Sequence, residues 1–394
     1  MAKLGDIFTL QMGKTPSRAN SDYWDNGSNP WVSIADLSFY NKYVGETKET
    51  ISDLAVLESG IKEVPEKTVI MSFKLSIGKV AITKAPVYTN EAIMAFIPNG
   101  KTEVFPDYLF YLFSGKDWNK GTNRAVMGAT LNKATLSELE IFLPSLDEQR
   151  EISEKLDKVT MLIDLRQKQL EKLDELVKSR FIELFGDPVN NPMNWVVEPL
   201  GKYMEVLTDF SANGSYELLD RNVVMYDEPN YAVMVRTTDL ESGDLEHGVK
   251  YIDKKAYELL YKSKLYGGEL IMNKIGSAGK VYIMPKIEKP ASLGRNAFMF
   301  RFDRRLNMAY LFALLTSEYG TTEIQQHVRG AVTKTITKDS TRAIRVIVPP
   351  IELQNQFAAF AEQTDKSKLA VQKSLENLET LKKSLMQKYF GKRN

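Results

Sequence analysis

The 394-residue chain is 43% apolar and 26% charged, the balance of a globular protein with room for two or three domains. It has no cysteine, which excludes disulfides, thiolate nucleophiles and cysteine-ligated zinc. Its net charge is only +1 and is spread evenly, so either nucleic acid is not the ligand or partners supply much of the phosphate contact.

The opening residues lack the apolar core of a signal peptide, and no 18-residue apolar run follows, so the cytoplasm is the expected compartment and no membrane is expected as a partner. Residues 1–144 read as mixed α/β. LGDIFTL opens a first globule, and residues 12–30 form a polar loop containing Gly-Lys-Thr-Pro at 13–16. WVSIADL and the run 69–82 read as strands. Residues 105–118 carry aromatic and aliphatic side chains at helical spacing, and 119–135 is a second polar loop.

The stretch 145–187 predicts one long helix, with no proline and no glycine before Gly186. Ser145 and Glu148 fit a capping box, and Gly186 followed by Pro188 fits a stop. Ile152, Leu156, Val159, Ile163, Leu170, Leu173, Val177 and Leu184 fall on an a/d seam that Arg166 and Arg180 interrupt. Such a narrow seam needs a partner.

A Pro- and Asn-rich linker, 188–199, leads to a second globule, 188–350, that ends in a basic run in which only Asp339 opposes the lysines and arginines. A second helix, 351–394, closes the chain and offers Val371, Leu375, Leu378 and Leu385 to the seam. These parts repeat the first half. LEKLDELVKSRFIELFG (170–186) returns as LENLETLKKSLMQKYFG (375–391), and LPSLDEQ (143–149) as VPPIELQ (348–354). IMSFKLSIGKV (70–80) returns as IMNKIGSAGKV (271–281), DYLFYLF (107–113) as AYLFALL (309–315), and Asp36-Leu37 as Asp239-Leu240. A period near 200 residues lets each copy hold its own core.

The search for chemistry is mostly negative. His247 and His327 stand in unlike contexts and read as solvated or structural. GSAGKV (276–281) lacks the spacer and the Ser/Thr of a phosphate loop. No dinucleotide fingerprint and no nucleophile elbow occurs.

Two variable globules, each followed by P-x-[LI]-x-x-Q and a helix ending in FG, resemble the specificity subunits of type I restriction–modification systems. SIGKV and SAGKV, the GKTP loop, TTDL (237–240) and TDFSANGSYELL (208–219) add to the resemblance, which spans the chain. It implies an α+β protein: two mixed α/β target-recognition domains (1–144 and 188–350) and two antiparallel helices forming a coiled-coil-like spacer. Each globule would read one half of a bipartite double-stranded DNA target. The helices would set the spacing and dock two methyltransferase subunits, and restriction subunits would join for cleavage. The chain itself would be non-catalytic and bind no cofactor or metal. S-adenosylmethionine belongs to the methyltransferase partners, and ATP and Mg to the motor-nuclease partner. The second globule has no counterpart of GKTP, so the halves are expected to meet DNA differently.

Loop chemistry names the candidates for contact, since base edges are read by side-chain donors and acceptors while Lys, Arg, Ser and Thr hold phosphates. In the first globule these are Lys14, Thr15 and Arg18 beside Gly13, then Ser72, Lys74, Ser76 and Lys79. If 70–80 is one strand, they give it a polar face. Arg124 and Lys133 precede the helix. In the second they are Asn213, Ser215, Arg236, Asn273, Lys274, Ser277, Lys280, Arg295, Asn296, Arg329, Lys334 and Lys338. The alternative is a non-catalytic two-domain scaffold that binds proteins.

Overall fold

The computed structural model describes residues 1–74, 76–118, 124–125, 128–129 and 131–391. The chain packs as two units, Met1–Lys168 with Gln372–Asn394, and Gln169–Val371. The packing boundary therefore falls inside both long helices rather than at their ends.

In the first unit, an antiparallel sheet runs in the order Phe8–Met12, Ile93–Pro98, Val69–Ser72, Val80–Ile82. Successive residues of Val69–Ser72 point to opposite faces, and both faces are covered. Val69 and Met71 join one core with Phe96 and Phe113, while Ile70 joins another with Val32, Leu37 and Ile93. That double burial explains why the strand is apolar throughout. A smaller sheet sets Asn29–Val32 between Glu49–Ile51 and the parallel Tyr88–Thr89.

The second unit repeats this order. Met204–Asp209, Ala297–Phe302, Leu270–Asn273 and Val281–Ile283 form the antiparallel sheet. Ala232–Val235 lies between Lys250–Ile252 and the parallel Ala291–Leu293 in the other sheet, which gains the short strand Lys264–Leu265. Linker residues Val196–Pro199 pair with Arg345–Val348.

The motif P-x-[LI]-x-x-Q has a packing reason. Gln149 is buried, and its Oε1 accepts from the Phe105 N–H (2.9 Å), just before the helix Pro106–Ser114; its Nε2 donates to the Pro144 carbonyl (3.0 Å). Gln354 does the same for Asn307 N–H (2.8 Å) and the Pro349 carbonyl (2.8 Å), beside the helix Met308–Thr316. Each glutamine thus ties the start of a long helix to the short helix of the same globule.

The first long helix spans Leu146–Phe185 and the second Ile351–Met386, continuing as a π turn to Gly391. Ser145 and Glu148 form the capping box, and Gly186 stops the first helix at φ +75°. Within the first unit, Leu156 is fully buried, with Ile152, Leu385, Met386 and Phe390 in one core. Within the second, Phe181 and Phe185 pack on Phe357 and Tyr310, Val177 packs on the same core, and Asp174 pairs with Lys368. Pairing of high with low numbers makes the helices antiparallel. Val159, Ile163, Val371 and Leu375 are buried; Leu170, Leu173 and Leu378 are half-buried. Among the described residues no helix is long and apolar enough to cross a membrane.

Candidate nucleic-acid interface

The sequence expects a polar face on a strand over 70–80; the structure has a hairpin instead. The strand ends at Ser72, a turn follows, and Val80 begins the return. Ser72 is fully buried: its Oγ donates to the Ser76 carbonyl and accepts from Lys79 N–H (3.0 Å). The second copy is built alike, with Asn273 N–H on Lys280 O (2.9 Å) and Gly279 N–H on Asn273 O (2.9 Å). Gly78 and Gly279 sit at φ +86° and +89°, where a side chain is strained, and a Cβ on them would press on Trp118 and Ile324. The shared S-x-G-K-V pattern is thus turn chemistry, and Ser72 is corrected from a contact residue to a structural one.

The GKTP loop keeps Lys14 and Arg18 exposed, but its polar side chains are bonded to the rest of the globule. Lys14 Nζ donates to the Ser59 carbonyl, and Trp31 Nε1 donates to the Lys14 carbonyl (3.1 Å). The Thr15 hydroxyl donates to Glu91 and accepts from Asn90 Nδ2 (3.0 Å). Arg18 forks onto Glu49 and stacks 3.6 Å above Trp24. Hydrogen bonding from Arg18 holds the Glu49 carboxyl below its usual range. A Cβ on Gly13 would strike the carbonyl oxygens of Thr89 and Asn90, so the close approach it permits is to its own chain. Lys74 is half-buried with its Nζ 5.2 Å from the Phe73 ring. Ser76, Lys79 and Lys133 are exposed. The Arg124 side chain lies outside the described residues.

The second globule gathers more of the candidates. The backbone N–H of Lys274 donates to the Asn296 carbonyl (2.8 Å), and Ile336 N–H to the Lys274 carbonyl (3.1 Å). Gly276 N–H donates to the Lys334 carbonyl (2.9 Å). These bonds set the turn 274–280, the segment Arg295–Asn296 and the hairpin around Arg329–Lys334 side by side. Ser277, Lys280, Asn296, Arg329 and Lys334 are exposed on them.

Some charges there are already paired. Lys274 and Lys338 both donate to buried Asp209, at 3.1 and 2.9 Å. Burial alone would raise the Asp209 carboxyl, but the hydrogen bonds from Lys338 and Lys274 outweigh it and hold it below its ordinary value. Two cations on one carboxylate leave a surplus positive charge at this point. Lys280 pairs with Glu241 on the surface. Asn213 is buried and bonded to Phe210 O, Ser263 Oγ and Lys262 N–H, so it braces the loop instead of facing a ligand. Ser215 caps the helix Tyr216–Asn222, and Asn273 is buried.

Arg236, Arg295 and Asn296 line one cleft of about 340 Å³ with Phe210, Met225 and Thr238. Asp239 of the repeated Asp-Leu pair accepts from Arg236 backbone and guanidinium and fixes one wall; Asp36 takes the same capping position in the first copy. Arg295 reaches Asp220 (3.1 Å) and lies 5.2 Å from the Phe210 ring. Asn296 is exposed, and its side chain is an amide, the group that pairs bidentately with adenine. The sequence does not single out Phe210, Met225 and Thr238, though Phe210 lies within TDFSANGSYELL and Thr238 within TTDL. Both histidines sit beside carboxylates, His247 on Asp244 and His327 on Glu323. Among the described residues no cluster of metal-ligating side chains occurs.

Comparison with known proteins agrees with this architecture. Residues 1–175 match the family model described as type I restriction modification DNA specificity domain. The chain is 27% identical over 409 aligned residues to the type I restriction enzyme MjaIX specificity subunit of Methanocaldococcus jannaschii, covering 98% of this chain and 91% of that protein. It is 30% identical to the EcoR124I/EcoR124II specificity subunit of Escherichia coli, over 45% of this chain and 47% of that one. The crystal structure of a type I restriction–modification S subunit from M. genitalium shares the fold, with a TM-score of 0.60 at 13% identity over 98% of this chain and 94% of that one.

Proposed function

We infer from a chain that resembles type I restriction enzyme specificity subunits over nearly its whole length that it is the DNA-sequence-recognition subunit of such a system. The observation that carries the reading is the edge of the second globule. There the cleft of Arg236, Arg295 and Asn296 adjoins the surplus charge of Lys274 and Lys338 and the exposed cations Arg329 and Lys334. Cations in that setting hold phosphates, and an amide and a threonine hydroxyl beside them address base edges. Each globule reads one half of a bipartite target, and the two long helices dock two methyltransferase subunits. Methyl transfer with S-adenosylmethionine, and ATP- and Mg-dependent translocation and cleavage, belong to those partners and to restriction subunits. The near-neutral charge of the chain fits shared phosphate contact.

The test is a gel-shift titration of the full chain on duplex DNA, with and without methyltransferase subunits, followed by a methylation map. The assembled complex should bind and methylate one bipartite sequence. Exchanging residues 1–144 for those of another such subunit should change one half-site and spare the other. Both halves changing together would reject independent reading, and failure of the complex to bind any duplex would reject the function.

A further inference from the structure

The hairpin Arg329–Thr335 is closed by two backbone bonds, Arg329 N–H to Thr335 O (2.9 Å) and Thr335 N–H to Arg329 O (2.7 Å). Gly330 turns it at φ +104°, and a Cβ there would collide with the Thr333 carbonyl. Its base is fixed: Ile275 bridges Thr335, Gly276 N–H holds Lys334 O, and Ile336 is buried in the core. At its tip Val332 is 98% exposed. A single exposed valine is ordinary. This one is held on a braced tip between Arg329 and Lys334, two exposed cations that make no ion pair among the described residues. Through Lys274 and Asn296 the hairpin is hydrogen-bonded to the cleft described above.

We propose that this hairpin is a groove-entering finger. Val332 makes apolar contact with base or sugar edges in the groove while Arg329 and Lys334 hold the phosphates to either side. The charge pattern selects DNA as the occupant: a groove offers apolar surface on its floor, such as a thymine methyl, and anions on both rims. Because the base of the hairpin is braced, little conformational freedom is lost when it enters. A similar spelling recurs in the first globule, where Arg124, Thr130, Leu131 and Lys133 are spaced like Arg329, Thr335, Ile336 and Lys338, with Val126 one place out of step with Val332. There too a short strand pair, Arg124–Ala125 with Gly128–Ala129, closes the loop.

The inference rests on the DNA-recognition reading, so the experiment separates the two. Val332→Ser, Arg329→Gln and Lys334→Gln are compared with wild type in the complex with methyltransferase subunits, on a duplex carrying the methylated target. Val332→Ser should weaken binding on the order of tenfold with its salt slope unchanged, since removing an apolar contact releases no counterions. Arg329→Gln and Lys334→Gln should each lower that slope by about 1. Thermal unfolding of Val332→Ser should match wild type. The chain has no cysteine, so V332C also takes a single iron chelate, whose cuts should fall inside one half-site. Val332→Ser binding within about twofold of wild type would overturn the finger, as would cuts outside the target. Loss of subunit assembly with DNA affinity intact would make the hairpin a protein contact instead. If wild type binds no duplex in the complex, the underlying reading fails.

Discussion

Lys42 shows how single side chains join a globule to its helix. Its Nζ lies between Asp107 and Asp157, while Tyr43 donates to Asp107 (2.8 Å) and Tyr111 to Asp157 (2.6 Å). Lys42 and Asp107 are mostly shielded, and Asp157 is partly open. Lys42→Met should therefore cost roughly 2 kcal/mol, below the 3–5 kcal/mol of a fully buried pair that loses one partner, as read by urea unfolding. Gln149→Ala and Gln354→Ala should each cost about 1–3 kcal/mol, because each leaves a part-buried N–H without an acceptor. Asp209 makes the pH prediction. Its carboxyl titrates lower in the folded protein than in the unfolded chain. Its contribution is therefore complete above the ordinary value near 4 and is lost as pH falls through the depressed folded value. Asp209→Asn should flatten the acid limb of a stability-versus-pH curve while leaving two lysines facing each other.

At the scale of elements, the long helices were legible because caps, seam and stop agree in the sequence. The strands Val69–Ser72 and Val80–Ile82 were legible because they are buried on both faces, whereas WVSIADL, expected as a strand, is a strand only to Val32 and then a helix, Ile34–Phe39, that Ser33 caps. What failed at 70–80 was period: Ser, Lys and Ser two apart resemble an alternating strand, but the glycine at Gly78 makes a turn whose polar groups bond one another. The partners of the GKTP loop were not legible for a related reason. Its acceptors, Ser59, Glu49 and Glu91, lie 31 to 76 residues away, and local spelling does not announce them. The cleft was half legible, through Arg236, Arg295 and Asn296; Phe210 and Met225 are apolar and carry no polar pattern that would mark them as cleft residues. Because the turn glycines carry geometry and not contact, Gly279→Ala should destabilise the second globule by about 1–3 kcal/mol through its left-handed backbone and through crowding against Ile324. It should leave the first half-site unchanged in a methylation map.

For the whole molecule, the first helix starts in one unit and finishes in the other, and the second returns. If the pair sets the gap in the target, matched insertions of four residues after Gln169 and after Val371 should lengthen it. Each adds roughly 6 Å and about one helical turn, or about two base pairs at roughly 3.4 Å each. The methylation map should show a wider gap with the same letters in both halves. Full activity at the original spacing would show that the helices do not measure it.

Phe390 fills the first core against Tyr108, as Phe185 fills the second against Tyr310. The first unit is therefore unfinished until the last turns of the chain are made. A fragment ending at Gly186 keeps the strands of the first globule but loses that plug, while its own Phe185 is left without a host. Two such fragments can satisfy each other, each lending its helix end to the other's core across a two-fold axis. Sedimentation of the fragment should show a dimer that dissociates on dilution, and Phe185→Ala should abolish it. The duplicated sequence then reads as a fused pair, each half completed by the other's helix end.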